Sequence, residues 1–165
     1  MTDRIKIIAT GGTFDKVYDP ISGQLVFNES HLPTIVKQSR IQPQPNIETV
    51  MLIDSLEMTE LHRQQILAVV IAATETKIVI IHGTDTMTET AKTLGQANLT
   101  KTIVLTGAMV PADIVNSDAQ FNLGFALGCA YTLAAGTYVA MNAKVHAWNK
   151  VRKNKEHGFF ESVNL

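Results

Sequence analysis

Short runs of β-branched and other apolar residues recur along the chain, and each is followed by polar residues and then by a longer segment with helical spacing. The five runs lie at residues 5–9, 49–53, 77–81, 102–105 and 137–141. Short strands that are apolar on both faces are typical of a parallel sheet covered by helices on both sides. The pattern therefore predicts five strands of such a sheet.

Helical spacing predicts four helices between and around these strands, at residues 31–39, 59–73, 86–98 and 117–135. Two of them begin with a capping-box pattern, Thr86-x-x-Glu89 and Ser117-x-x-Gln120, and Gly136 is expected to end the last one. This alternation predicts a three-layer open α/β fold with a mostly parallel sheet and helices on both faces. We expect residues 14–27 to form a loop or hairpin and the tail from residue 143 to be irregular.

The composition is that of a soluble globular protein, with 45% hydrophobic and 18% charged residues among 165. Because the chain has no repeat, low-complexity tract or linker, we expect a single domain over residues 1–165. A net charge of -1 gives no electrostatic footprint for nucleic acid or an anionic membrane. The apolar stretches are too short to cross a bilayer and the N-terminus lacks a signal-peptide pattern, so we expect a cytoplasmic protein.

Small polar residues and glycines follow four of the five predicted strands. The segments are Thr10-Gly11-Gly12-Thr13, Asp54-Ser55, His82-Gly83-Thr84-Asp85-Thr86 and Thr106-Gly107-Ala108-Met109. In an open parallel sheet, ligands bind in the crevice beyond the carboxyl ends of the strands. One such segment could serve turn chemistry alone, but four at one edge predict a binding site for a small polar molecule.

Several common kinds of site are disfavoured by the motifs. The chain has no G-x-G-x-x-G or P-loop pattern, no H-x-x-x-H spacing for zinc and no G-x-S-x-G nucleophile elbow. We therefore expect neither a cofactor nor a metal, and we interpret His82 as a structural residue. The remaining candidate nucleophiles are Thr13 and Thr84, which stands beside Asp85.

A threonine hydroxyl needs a base to remove its proton, and a lysine can take that role. The candidates are Lys144, Lys150, Lys153 and Lys155, and their spacing alone does not select one.

Three of these segments, with a fourth in the last predicted helix, give the chain a resemblance to the bacterial-type L-asparaginase family, whose members convert asparagine to aspartate and ammonia. The motifs that carry it are Ile8-Ala9-Thr10-Gly11-Gly12-Thr13-Phe14, Ile81-His82-Gly83-Thr84-Asp85-Thr86-Met87, Thr106-Gly107-Ala108-Met109 and Phe121-Asn122-Leu123. The resemblance covers nearly the whole chain but only the N-terminal domain of the family's two-domain subunit. It implies a flavodoxin-like domain without the family's C-terminal domain.

The resemblance also implies roles for individual residues. Thr13 matches the nucleophile and Tyr18 matches its tyrosine partner, while Thr84, Asp85 and Lys153 match a second group of hydroxyl, acid and lysine. For the substrate, Ser55 matches the serine that binds the α-carboxylate, Asp85 would meet the α-ammonium, and backbone N–H groups of the Gly11-Gly12 turn would meet the oxyanion.

Two departures from the family pattern bear on the substrate. Leu56 replaces a glutamine that follows the binding serine, and the family's C-terminal domain supplies an acid that this chain lacks. Both changes remove contacts to the substrate amine. We therefore expect weak binding of asparagine and a smaller loss of binding for amides without the amine. The uncovered surface leads us to expect a homo-oligomer, most simply a dimer.

The sequence analysis leaves three functions open. The leading hypothesis is an amidohydrolase acting on asparagine or a related small amide. The alternatives are a catalytically idle domain that binds a small amide or amino acid, and the amidase portion of a tRNA-dependent amidotransferase. The last is disfavoured because no basic patch or tRNA-binding module is evident.

Overall fold

The computed structural model describes residues 4–163 and contains a six-stranded sheet flanked by helices. From one edge to the other the strands are β4 (Asn46–Ile53), β1 (Lys6–Gly11), β5 (Lys77–Ile81), β6 (Thr102–Thr106), β7 (Gly136–Met141) and β8 (Lys144–Ala147). The first five are parallel, and β8 pairs antiparallel with β7. The predicted open α/β architecture is confirmed, and all five predicted strands are present.

Two hairpins lie outside this sheet. The first consists of β2 (Lys16–Asp19) and β3 (Gln24–Phe27), and the second of β9 (Val151–Asn154) and β10 (Phe159–Ser162). Of the two forms expected for residues 14–27, the structure therefore has the hairpin.

Four helices cover the two faces of the sheet: α1 (Leu32–Gln38), α2 (Glu60–Ala72), α3 (Met87–Gln96) and α4 (Ala119–Thr132). Along β5, Val79 and Ile81 pack in one buried cluster with α1 and α4, whereas Ile78 and Ile80 pack in a second with α2 and α3. Because successive side chains of a strand point to opposite faces, a strand buried on both faces must be apolar throughout. Within the described range, no helix is long and apolar enough to span a membrane.

Both predicted capping boxes are wrong. Thr86 is the N-cap residue of α3, but its side chain makes no hydrogen bond to the first turn of the helix. Its hydroxyl donates to Ser55 O at 2.8 Å instead. The carboxylate of Glu89 accepts from Arg63 at 2.6 Å. At α4 the N-cap is Asp118, and Ser117 Oγ donates to Val110 O at 2.7 Å. The side chains of Thr86 and Glu89 thus bind distant partners, whereas Ser117 Oγ also accepts from Ala119 N–H, at the start of α4, at 3.0 Å.

The expectation for the end of the last helix and for the tail is also wrong. Helix α4 ends at Thr132, and Gly136 is the first residue of β7. Beyond it the chain forms three more strands, β8, β9 and β10. The β7–β8 turn consists of Asn142 and Ala143, both with positive φ, which is the conformation that two-residue hairpins favour.

Candidate active site

Two glycines allow the segment after β1 to approach its neighbours closely. Gly12 has φ +74°, and a Cβ at this position would lie 2.4 Å from Gly83 Cα and N. Gly12 N–H also donates to Ile53 O at 2.9 Å. The turn that leads into Thr13 is therefore fixed against the ends of both β4 and β5, and only glycine fits there.

Ser55 lies on the other side of Gly83. A Cβ on Gly83 would lie 2.6 Å from Ser55 Oγ, and that oxygen accepts a hydrogen bond from Thr86 N–H at 3.3 Å. Ser55 is only 1% exposed. The expected substrate-binding serine thus stands at the edge where the strand ends meet, but its hydroxyl is buried and engaged with Thr86.

Lys153 reaches this edge from the second hairpin. Its Nζ donates to Thr84 Oγ1 at 2.8 Å and to Asp85 Oδ1 at 2.7 Å. The lysine side chain is 12% exposed and that of Asp85 is 36% exposed. Lys153 is therefore the lysine, among the four candidates, that contacts the Thr84-Asp85 pair.

Thr13 begins a short 3-10 turn, Thr13–Asp15, and is half-buried. Within residues 4–163, its hydroxyl makes no hydrogen bond to another protein group. Behind it, the buried Asp15 carboxylate accepts from His31 N–H at 2.8 Å and from Ser30 Oγ at 3.1 Å. Burial raises the pKa of Asp15, although these hydrogen bonds and the charge of His31 act in the opposite direction.

Tyr18 lies on β2 with 58% of its surface exposed.

The loop after β6 lies next to the turn of the second hairpin. Asp118 accepts hydrogen bonds from Met109 N–H and Val110 N–H, and Asn122 Nδ2 donates to Gly107 O at 2.9 Å. A Cβ on Gly158, in the β9–β10 turn, would lie 3.5 Å from Met109 Cε. Asn122 and Asp118 thus hold a loop that lies beside the turn of the hairpin carrying Lys153.

An ion pair that the sequence analysis missed joins two parts of the site. Lys16 Nζ lies 2.5 Å from Asp54 Oδ2, while Asp54 Oδ1 accepts from Leu56 N–H at 3.0 Å. Burial raises the pKa of Asp54, but the hydrogen bonds from Lys16 and Leu56 and the charges of Lys16 and Lys153 outweigh it, so the pKa is lowered overall. No local motif pointed to this pair, because its members are 38 positions apart.

His82 is structural, as expected. Its Nδ1 donates to Gly83 O at 2.7 Å, so Nε2 accepts from Thr90 Oγ1 at 2.7 Å. Burial, assisted by the charge of Arg63, lowers the pKa of His82 to about 4 against the effect of the Gly83 hydrogen bond. Across residues 4–163, no group of three or more His, Cys, Asp or Glu side chains could hold a metal ion.

Comparison with known proteins gives a family for this arrangement. The family described as "Asparaginase, N-terminal" matches residues 4–165. L-asparaginase 1 of Escherichia coli (strain K12) is 33% identical over 175 residues, which cover 98% of this chain and 51% of that protein. A glutamyl-tRNA(Gln) amidotransferase component of Pyrococcus furiosus is 33% identical over 180 residues, covering 97% of this chain and 40% of that protein.

The fold is similar to that of solved asparaginases. The thermostable L-asparaginase from Thermococcus kodakarensis superposes with a TM-score of 0.85 at 30% identity, covering 98% of this chain and 52% of that one. The chain thus spans about half the length of the relatives that it matches. With its strand-end motifs, its fold and its family match in agreement, the chain belongs to the asparaginase family, in which it corresponds to the N-terminal domain.

Proposed function

We propose that the chain is an amidohydrolase that hydrolyses asparagine or a related small amide to the acid and ammonia. The observation that carries the proposal is the contact of Lys153 Nζ with both Thr84 Oγ1 and Asp85 Oδ1, next to the Gly12–Gly83 contact that precedes Thr13. A lysine in contact with both a hydroxyl and a carboxylate supplies groups that can transfer protons during acyl transfer.

In the proposed reaction, Thr13 Oγ1 attacks the side-chain amide carbon and forms an acyl ester. The threonine proton passes to the amide nitrogen, the carbon–nitrogen bond breaks, and ammonia leaves. Water then adds to the ester carbon with the help of the Thr84, Asp85 and Lys153 group. The new acid is released as the proton returns to Thr13 Oγ1, so the enzyme ends as it began.

The backbone N–H of Thr84 is our proposed donor to the oxyanion of this reaction, whereas the N–H of Gly12 already donates to Ile53 O at 2.9 Å. Such preorganised donors are commonly worth about 3–4 kcal/mol each in the transition state. For the substrate's α-carboxylate we propose Ser55, and for an α-ammonium Asp85. Tyr18 would act from the β2–β3 hairpin as the partner of Thr13.

A second candidate function is the amide-hydrolysing part of a tRNA-dependent amidotransferase. The observation in its favour is that several curated relatives are components of glutamyl-tRNA(Gln) amidotransferases, from Pyrococcus furiosus and Methanococcus maripaludis among others. It predicts that glutamine is preferred to asparagine and that tRNA binds. The net charge of -1 speaks against tRNA binding by this chain alone.

Ammonia release from asparagine, glutamine and succinamic acid tests these functions together. We expect release by the wild type and losses of kcat of at least about a hundredfold in Thr13→Ala and in Lys153→Met, because both changes act on the chemical step. Lys155→Met is the matched control, since Lys155 is an exposed lysine two positions away and should leave turnover unchanged.

Equal release from wild type and Thr13→Ala, above a buffer blank, removes Thr13 as the nucleophile. Saturable binding of an amide by calorimetry, with no ammonia release, supports the idle binding domain instead. Preference for glutamine together with tRNA binding supports the amidotransferase.

A further inference from the structure

The β2–β3 hairpin carries Tyr18 but is not part of the six-stranded sheet. Its two strands pair only with each other, from Lys16 opposite Phe27 to Asp19 opposite Gln24. Its tip is exposed, and Ile21 there is 95% accessible. A two-stranded hairpin on its own is marginally stable in water, so its position depends on contacts with the rest of the domain.

An ion pair between side chains joins this hairpin to the body of the domain. It is formed by Lys16 and Asp54, whose side chains are 19% and 31% exposed. The ammonium of Lys16 also lies over the ring of Phe27 on β3, 5.7 Å from the ring centroid. Lys16 thus contacts both strands of the hairpin and the end of β4.

Asp54 uses its two carboxylate oxygens for different purposes. Oδ1 accepts from Leu56 N–H and fixes the 3-10 turn Ser55–Glu57, while Oδ2 accepts from Lys16. The carboxylate therefore connects the turn that presents Ser55 with the strand that begins three residues after Thr13. A partly buried, charge-assisted hydrogen bond is stronger than an exposed one, because less solvent screens it.

We propose that Lys16 and Asp54 are positioning residues: their ion pair is a latch that holds the β2–β3 hairpin, with Tyr18, against the Ser55 turn. Its consequence for turnover rests on the proposed amidohydrolase function, whereas the latch itself does not. Opening of the latch would let the hairpin swing from the site and would lower the fraction of molecules that can bind substrate.

Two substitutions break the latch with little other change. Lys16→Met removes the charge and keeps an unbranched, mostly apolar side chain. Asp54→Asn keeps an oxygen for Leu56 N–H but turns an amide donor toward the lysine. Lys16→Arg retains the charge and serves as the conservative variant.

Lys6→Met is the matched control. Lys6 of β1 pairs with Glu48 of β4 at 2.5 Å, at the end of these two strands that lies opposite the site. Its lysine side chain is 10% exposed, comparable to that of Lys16. A general effect of removing a lysine ion pair would therefore appear in both variants.

The test combines hydrogen–deuterium exchange with steady-state kinetics. We expect Lys16→Met and Asp54→Asn to speed amide exchange in residues 17–27 and to lower kcat/KM about 5- to 30-fold, mostly through KM. The double variant should lose no more than either single one, because the two residues act through one contact. Lys16→Arg should retain most of the wild-type kcat/KM, and Lys6→Met should change neither readout.

Unchanged hairpin exchange in Lys16→Met overturns the latch, whatever the activity. A loss of kcat at constant KM overturns its positioning role, since that result indicates a smaller fraction of folded enzyme. If the wild type releases no ammonia, the proposed function fails, while the exchange measurement still decides whether the latch exists.

Discussion

Replacement of Gly12 by alanine is the sharpest test of how the site is assembled. The backbone of Gly12 has φ +74° and ψ -176°, a conformation open to glycine and strained for any other residue. Holding a non-glycine residue in such a region costs about 1–3 kcal/mol. The new methyl group would also lie 2.4 Å from Gly83 Cα and N, which are backbone atoms and cannot turn aside.

The contact adds to the strain. Overpacking of this kind typically costs about 1–3 kcal/mol, so Gly12→Ala should lower the free energy of unfolding by about 2–6 kcal/mol. Because Gly83 must move to relieve the contact, Thr84 would move from Lys153 and ammonia release should fall even in the folded fraction.

Gly23→Ala is the matched control for the backbone strain. Gly23 has φ +69°, but a Cβ there would meet nothing within 4 Å. We expect it to cost about 1–2 kcal/mol, as is usual for a residue in the left-handed region. Urea unfolding of both variants, compared through their midpoints at constant m-value, measures the difference. If Gly12→Ala were as stable as Gly23→Ala, the close Gly12–Gly83 contact would not constrain the site.

Three further predictions concern pH, selectivity and assembly. The pKa of His82 is about 4 in the folded state and 6.5 in the unfolded state. Between these two pH values the unfolded state binds a proton that the folded state does not, so the free energy of unfolding should fall by about 3 kcal/mol as pH drops from 6.5 to 4. The wild-type curve minus that of His82→Gln should show this slope, and parallel curves would contradict it. Leu56, 68% exposed beside Ser55, offers no hydrogen bond to a substrate amine through its side chain, so Leu56→Gln should raise kcat/KM for asparagine about tenfold and leave succinamic acid unchanged. Equal gains for both amides would refute this. The exposed Leu61 and Ile71 of α2 favour self-association, so light scattering at micromolar concentration should give the mass of a dimer, and a monomer would count against it.

The sheet could be predicted because its strands are buried on both faces. Residues such as Ile78 to Ile81 have no polar position to obscure the pattern, and their burial is complete. Parallel strands also indicate where a site lies, because the residues directly after each strand stand at the ligand-binding edge of the sheet. Ser55 and Thr84 could therefore be placed near each other from the sequence alone.

The two hairpins could not be predicted in the same way. Strand β9 reads Val-Arg-Lys-Asn, with one buried residue, and its partner β10 begins with the exposed Phe159. Such short, half-exposed strands have little periodicity to detect. Lys153 was therefore selected only by resemblance, and the side chains of Thr86 and Glu89 were assigned to a helix cap when distant partners bind them.

The site should be more sensitive to substitution than the fold, because different kinds of contact stabilise the two. The sheet and its helices are stabilised by two large apolar clusters that do not include the β2–β3 hairpin, whereas the groups proposed for catalysis are joined through a few long-range polar contacts. Lys153 reaches Thr84 across 69 positions of sequence, and Lys16 reaches Asp54 across 38. Each contact closes a separate loop, and segments held by few contacts open at lower free energy than the core. Substitutions at these pairs should therefore change turnover and hairpin exchange before they change global unfolding, whereas substitutions in the apolar clusters should act on all of them at once.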